Sequence, residues 1–204
     1  MPTFRIIALV GCSMLFSASI LLAQEPLTYF VELNAQKKLF HVTMQIPAEP
    51  GLLKLAMPLT TPGSASIENN ARYVLHFQAS DLQKKPLSSR RFDKQTWEVE
   101  VPAAETISIQ YDVQPNTDDK LRLASNSIQD TGGFLNGGSI FLYSPAHLES
   151  SVSLRLKLPA GWRIATPLNT DANGSFVAAN YRKIGRYLRL NVRAGWSVLK
   201  ERQR

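Results

Sequence analysis

The chain has 204 residues and a formal net charge of +7, with 23 Lys or Arg against 16 Asp or Glu. Residues 182–204 hold eight basic residues and one acidic residue, a net of +7, whereas residues 24–181 hold 14 basic and 15 acidic residues, a net of −1. A near-neutral body does not carry the basic face that nucleic-acid binding requires. We therefore expect no nucleic-acid partner and one domain of ordinary size.

The N-terminus has the pattern of a secretory signal peptide. One arginine precedes an apolar run from Ile6 to Ala23, which predicts a signal in residues 1–23, cleavage after Ala23 and export to the periplasm or cell envelope. Two alternatives stay open, a retained anchor and lipidation of Cys12, because Leu9-Val10-Gly11-Cys12 resembles a bacterial lipoprotein box. Only these alternatives would bring the protein to a membrane. Cys12 is the only cysteine, so cleavage after Ala23 also excludes disulfides.

The body reads as β-structure from end to end. Apolar residues alternate with polar ones in five segments, and breaks rich in Pro or Gly separate these segments. The alternating apolar sets are Phe40–Ile46, Tyr73–Phe77, Trp97–Val101, Ile107–Val113 and Val152–Leu158. This spacing predicts an all-β fold, an antiparallel β-sandwich over residues 24–181.

Three histidines are present, at positions 41, 76 and 147, and none has a second histidine four residues away. A zinc peptidase of the H-E-x-x-H type needs two imidazoles one helical turn apart on the same helix face. We therefore predict no catalytic residue, no metal ligand and no cofactor for this chain alone. His41 and His76 are expected to be solvent-facing strand residues.

Four motifs resemble one known family. They are the turn Pro58 to Ser64 (Pro-Leu-Thr-Thr-Pro-Gly-Ser), the strand start Asp93-Lys94-Gln95-Thr96-Trp97, the loop Gly133-Phe134-Leu135-Asn136-Gly137 and the segment Pro159-Ala160-Gly161-Trp162. With these motifs the chain resembles, over about residues 27–181, the N-terminal domain of metallopeptidase family 61, the glycyl aminopeptidases, which are zinc gluzincins. The resemblance implies an aminopeptidase N-terminal β-sandwich, with zinc held only in a separate catalytic domain.

The resemblance also implies a role for the Gly-rich loop. In related two-domain aminopeptidases the corresponding edge faces the catalytic cleft, which makes Phe134, Asn136 and Gly137 candidates for interdomain or substrate contact. Ile140-Phe141-Leu142 is then expected to be the strand that follows. The alternative is a simple hairpin in which the glycines supply positive φ angles.

The family pattern stops at Tyr181, where an acidic linker to the catalytic domain is expected and Arg182-Lys183-Ile184 stands instead. We interpret residues 182–204 as a divergent, disordered basic tail, produced by truncation or a frameshift. An alternative is a basic strand, since Leu188, Leu190 and Val192 alternate with polar residues. The expected function is a non-catalytic domain that packs on a catalytic metallopeptidase domain, missing or supplied in trans; a stand-alone envelope binding module is the alternative.

Overall fold

The computed structural model describes the backbone of four stretches, residues 25–60, 69–116, 126–187 and 189–194. Within these stretches, side chains are described as far as Gly185. The predicted signal peptide, with Cys12 and Ala23, lies outside these stretches. Residues 61–68, which hold the Thr-Pro-Gly-Ser part of the turn motif, also lie outside them. The other three motifs fall within the described residues.

Strands dominate these stretches, with one short α-helix near the C-terminal end. In chain order the elements are β1 (Leu27–Asn34), β2 (Leu39–Ala48), β3 (Gly51–Ala56), β4 (Val74–Asp81), β5 (Ser89–Arg91), β6 (Thr96–Val101), β7 (Glu105–Val113), β8 (Ser127–Gln129), β9 (Gly132–Asn136), β10 (Val152–Lys157), β11 (Trp162–Ala165), β12 (Asn169–Thr170), β13 (Phe176–Ala178), α1 (Tyr181–Tyr187) and β14 (Arg189–Ala194). Single 3-10 turns lie at Asn70–Tyr73, Gly137–Ser139 and Pro145–His147.

The strands form three sheets. The largest has the order β12-β13-β10-β1-β2-β7-β4, the second β11-β14-β9-β8 and the third β3-β6-β5. Among the described strands only β1 and β10 pair in parallel, with Leu27 opposite Val152. The all-β sandwich-like fold predicted from the sequence is confirmed, and this parallel pair makes its main sheet mixed rather than purely antiparallel.

One hydrophobic core lies between the sheets, and the alternation of the strands explains it. The side chains at Phe40, Val42, Met44 and Ile46 of β2 are fully buried, and those between them face outward. On β6 the apolar residues Trp97, Val99 and Val101 are also buried, and the charged Glu98 between them is buried too. Both sets belong to one core cluster, so the large sheet and the three-stranded sheet pack their apolar faces together.

Strand β4 departs from the predicted alternation. Val74 and Ala79 are its buried residues, whereas Leu75 and Phe77, which the alternation placed inside, are only half-buried. Two inward residues five positions apart require one extra residue between them, and the register with β7 does shift between Leu75 and Gln78. Within this bulge His76 adopts a left-handed conformation with φ of 52°.

The predicted disorder of residues 182–204 is wrong for the part that the structure describes. Helix α1 buries Tyr181 and Ile184 in the core. Strand β14 pairs on one side with β9, where Leu190 is opposite Leu135 in the register, and on the other side with β11, where Val192 is opposite Ile164. Residues 191–193 thus have a partner strand on each side, which supplies partners for their backbone N–H and C=O groups and favours an ordered strand.

Candidate functional site

The Gly-rich loop turns immediately after β9. The Oδ1 atom of Asn136 accepts a 3.2 Å hydrogen bond from the Gly138 N–H and so caps the 3-10 turn Gly137–Ser139. None of the glycines at 132, 133, 137 and 138 has a positive φ, since the described glycines with positive φ are 51, 161 and 174. The positive φ angles predicted for these glycines are therefore wrong, although β8 and β9 do form an antiparallel hairpin. A side-chain cap makes the turn that follows β9.

Asn126 completes a buried polar network under this turn. Its Oδ1 accepts a 2.8 Å bond from the backbone N–H of Asn136, and its Nδ2 donates a 2.9 Å bond to the hydroxyl of Ser139. That hydroxyl donates in turn to the Asn136 carbonyl at 3.1 Å. All three side chains are at least 97% buried, and their bonds to one another offset the cost of removing them from water.

Residues Ile140 to Leu142 do not form the predicted strand. Instead, three tyrosine hydroxyls hold their carbonyl groups: Tyr111 donates to Ile140 at 3.0 Å, Tyr181 to Phe141 at 2.9 Å and Tyr29 to Leu142 at 2.7 Å. The Leu142 N–H donates back to the hydroxyl of Tyr111 at 3.1 Å. Side-chain hydroxyls therefore take the place of a neighbouring strand, and we call this arrangement the tyrosine clamp.

The clamp lies in the core. Burial raises the pKa of Tyr29, Tyr111 and Tyr181 above the ordinary value, and for Tyr29 and Tyr181 the other tyrosines nearby add to the effect. The three hydroxyls consequently stay protonated and keep donating at any physiological pH. They fix the path of the chain after the loop and so fix where the loop itself lies.

The three predicted loop residues differ in exposure. Asn136 is 3% exposed and Gly137 is buried, whereas Phe134 on β9 is half-buried and keeps accessible surface. The position of Phe134 agrees with a surface role, and the contacts of Asn136 and Gly137 are internal. Contact of this loop with a catalytic domain or a substrate stays a prediction.

A cleft of about 480 Å³ lies beside α1. The rings of Tyr143 and Tyr181 form part of its wall, with centroids 5.2 Å apart. Arg182 at the rim donates from Nε to Glu149 at 2.8 Å, but both side chains are more than half exposed, so the pair adds little stability. The remaining lining residues are Pro58, Leu59, Thr60, Leu148 and Gly185.

Two of the histidines share one carboxylate. Asp112 accepts from Nδ1 of His41 at 2.7 Å and from Nδ1 of His76 at 2.8 Å. Partial burial of Asp112 opposes ionisation, but the hydrogen bonds from His41 and His76 prevail and lower the pKa of the carboxyl. His76 is exposed and His41 is half-buried, and both face solvent as the sequence predicted. The sequence did not predict their common partner, because the register of β2, β4 and β7 brings it there.

His147 lies apart from this pair, in the turn after Pro145. Burial lowers the pKa of its imidazole, although the backbone of Pro47 opposes the shift. Among the described residues, no group of three His, Cys, Asp or Glu is placed to hold a metal ion.

The motif from Asp93 to Trp97 forms a turn into β6. The carboxylate of Asp93 accepts 2.7 Å hydrogen bonds from the backbone N–H groups of Gln95 and Thr96. Trp97 is 4% exposed. The N–H of Gln95 lowers the pKa of Asp93 most, and that of Thr96 adds to the effect. Trp162 of the fourth motif is half-buried against the core. Both motifs are thus structural.

The sequence of residues 28–184 matches the protein-family model for the peptidase M61 N-terminal domain. The chain belongs to the peptidase M61 family. The matched range contains every strand from β2 to β13, the tyrosine clamp and the first half of α1. What the four motifs indicated is therefore confirmed: this is an M61 N-terminal domain.

One solved structure supports the fold. An aminopeptidase N family protein from Idiomarina loihiensis superposes with a TM-score of 0.73 at 19% identity, over 81% of this chain and 29% of that protein. Yeast LTA4 hydrolase in complex with bestatin matches at a TM-score of 0.45 and 11% identity, over 86% of this chain and 29% of that one. The M61 domain thus spans less than a third of either structure.

No curated protein matches the sequence of this M61 domain. In the part of the chain that the structure describes, no helix has the length and apolar character needed to cross a membrane.

Proposed function

We propose that this chain is the non-catalytic N-terminal domain of an exported, glycyl-aminopeptidase-like zinc metallopeptidase. In the intact enzyme it packs on the catalytic domain and helps to wall the substrate cleft. The observation that carries the proposal is the family match over residues 28–184, which is to the N-terminal domain of these peptidases and not to a catalytic one. The 29% coverage of the aminopeptidase N family structure supports it, because that protein has a much longer chain.

The surface that suits this role lies around the loop and α1. Helix α1 packs against the 3-10 turn Gly137–Ser139, and the hydroxyl of Tyr181 reaches the Phe141 carbonyl in the same region. The loop thus lies beside the last part of the family match. In a longer peptidase the next domain begins close to Phe134, whose ring is accessible. A rigid loop loses little conformational entropy when a partner binds it.

Arg182-Lys183-Ile184 stands where the resemblance implies an acidic linker, and a truncated or frameshifted gene would explain this departure. Ile184-Gly185-Arg186-Tyr187 can be encoded so that the next reading frame gives Leu-Val-Asp-Thr, close to the acidic linker that the resemblance implies. The DNA sequence downstream tests this origin. We expect a second frame that encodes an H-E-x-x-H helix, and a downstream region without one in any frame would overturn the frameshift.

Two alternatives have the same fold. A subunit that acts in trans needs a separate gene that begins with the zinc domain, whereas a stand-alone binding module needs neither this gene nor a peptidase remnant. The strand β14 favours these alternatives over a tail produced by a frameshift, because the strand pairs with both β9 and β11.

Association with a catalytic domain tests the packing directly. The full chain is mixed with a separately produced zinc domain of a family 61 peptidase, and the complex is measured by analytical ultracentrifugation. We expect a complex that Phe134→Ala weakens about tenfold, because a central aromatic anchor contributes strongly to an interface. Phe92→Ala is the matched control, since Phe92 is 56% exposed on the three-stranded side.

The control variant is expected to bind as the wild type does. No association, or an equal loss in the two variants, would overturn the proposed surface.

A further inference from the structure

A second cleft, of about 530 Å³, lies where the chain passes from β4 to β5. Its lining is partly apolar and otherwise almost wholly uncharged: Phe77, Ala79, Pro86 and Leu87, with Gln78, Ser80, Ser89, Gln110 and the single cation Lys84. We propose that this cleft binds a neutral oligosaccharide. The inference does not depend on the proposed peptidase role, because the cleft is remote in sequence from the Gly-rich loop and shares no lining residue with the cleft beside α1.

The aromatic wall comes from Phe77. Its ring stacks on Trp97, with centroids 5.5 Å apart and planes 18° from parallel, and the guanidinium of Arg91 lies 4.9 Å from the Trp97 ring. Trp97 is buried, so Phe77 is the ring of this stack that lines the cleft. The C–H face of a pyranose packs well on such a fixed ring. A ligand site of this kind combines apolar surface with a few placed polar groups.

The polar groups are free to bind a ligand. Gln78 and Gln110 are directly opposed on β4 and β7, and both are exposed. Among the described residues, the side chains of Gln78, Gln110, Ser80 and Ser89 have no hydrogen-bond partner within the protein. Amides and hydroxyls both donate and accept, which matches the hydroxyl groups of a sugar. With one lysine and no carboxylate in the lining, a neutral ligand fits better than a charged one.

Uncharged polar side chains continue from the cleft across the outward face of the large sheet. Gln110 is opposed on β2 by Thr43, and Ser108 is opposed by Gln45, with these side chains on the outward face. A chain of three or more sugar units therefore finds further hydroxyl and amide groups beyond the cleft. This extension favours an oligosaccharide over a monosaccharide.

The bulge in β4 argues against an extended peptide. A peptide that adds to a sheet needs a run of free backbone groups along the edge strand. β4 is the edge of its sheet, but the shift between Leu75 and Gln78 and the left-handed His76 interrupt that run. The edge is therefore protected from strand addition, and the side chains of the cleft are left to bind.

Titration of the ¹⁵N-labelled full chain tests the proposal by NMR, with chitotriose, cellotriose and maltotriose as separate probes. We expect at least one of them to cause saturable shifts at the side-chain amides of Gln78 and Gln110 and at the backbone of Ser80 and Ser89. Gln110→Ala is expected to weaken binding about fivefold, the effect of one lost hydrogen bond.

Gln129→Ala on β8 is the matched control, because it removes the same side chain from another exposed strand position. Circular dichroism verifies that both variants fold. Absence of saturable shifts with all three sugars would overturn the proposal. It would also fail if Gln129→Ala weakened binding as much as Gln110→Ala, or if an uncharged peptide bound the cleft in place of the sugars.

Discussion

The hydroxyl of Tyr181 donates a 2.9 Å hydrogen bond to the carbonyl of Phe141, forty residues earlier in the chain. Tyr181 is the first residue of α1 and Phe141 follows the Gly-rich loop, so this bond ties the end of the family match to the loop. Tyr29 and Tyr111 hold the carbonyls on either side. The loop is consequently anchored from three separate parts of the fold.

Tyr181→Phe is expected to lower the free energy of unfolding by about 1–3 kcal/mol, because it leaves the buried Phe141 carbonyl without its donor. Urea unfolding measures the change. Tyr143→Phe is the matched control, since the Tyr143 hydroxyl has no hydrogen bond to any described residue. Equal effects of the two substitutions would contradict the clamp.

Tyr111→Phe is expected to be the more damaging change. Its hydroxyl both donates to the Ile140 carbonyl and accepts from the Leu142 N–H, so two buried backbone groups lose a partner. Hydrogen exchange should show faster exchange at Leu142 in this variant than in Tyr181→Phe. The same exchange rate in both variants would show that the second hydrogen bond contributes nothing.

A chain that ends after Tyr187 tests the structural role of β14. Without this strand, β11 and β9 have no common neighbour in the four-stranded sheet, and their facing backbone groups lose their partners. We expect a lower urea midpoint and faster hydrogen exchange in β9 and β11. Removal of residues 195–204 alone is the control. If hydrogen exchange in β9 and β11 were unchanged in the chain that ends after Tyr187, the segment would have no structural role, as expected for a tail produced by a frameshift.

Acid should weaken the fold through Asp112. Because its folded pKa is lowered, the carboxylate contributes stability that is complete above the unfolded value of about 3.9 and is lost as the pH falls through the folded pKa. Asp112→Asn should therefore destabilise at pH 7, and its difference from the wild type should shrink toward pH 3.

Urea unfolding over this pH range measures the effect. Asp130→Asn, at an exposed position after β8, serves as the control and should leave the profile unchanged. A constant difference between Asp112→Asn and the wild type at every pH would show that the carboxylate has no role in acid sensitivity.

Glu98 gives a further test on the three-stranded sheet. It is 3% exposed, and its Oε2 accepts from Nε and the terminal nitrogen of Arg90 at 3.0 and 2.7 Å. Arg90→Ala leaves this carboxylate buried and paired only with Lys54 at 3.8 Å, so a loss of about 1–3 kcal/mol is expected. Arg163→Ala, at an exposed position of β11, is the control in urea unfolding. Equal losses would argue against the pair.

Much of the fold could be predicted because β2 and β7 bury every second residue over their length. The apolar residues of β6 alternate in the same way, but the burial of Glu98 between them was not predictable from that alternation. The bulge of β4 could not be predicted, because its position depends on pairing with β7 and leaves no mark in local alternation. Ile140-Phe141-Leu142 shows the same limit. Three apolar residues in a row indicate burial, but the donors that hold them are tyrosines between 29 and 113 residues away.

The candidate site could be predicted from the sequence only in part. Motif resemblance identified the loop through Phe134, Asn136 and Gly137, but the cap on Gly138 and the role of Asn126 depend on tertiary contacts. The departure from the family pattern after Tyr181 led to the interpretation of a disordered tail, whereas the apolar alternation over the same residues indicated the strand. Where the two signals disagreed, the periodicity was the better guide over residues 189–194.

Peptide hydrolysis by the purified full chain is the most direct test of the central claim that this domain is non-catalytic. Glycyl and alanyl peptides are incubated with the chain and zinc, beside a variant with alanine at His41, His76 and His147. We predict no turnover above the buffer in either sample. Zinc-dependent turnover by the wild-type chain that is lost in the triple variant would contradict the account.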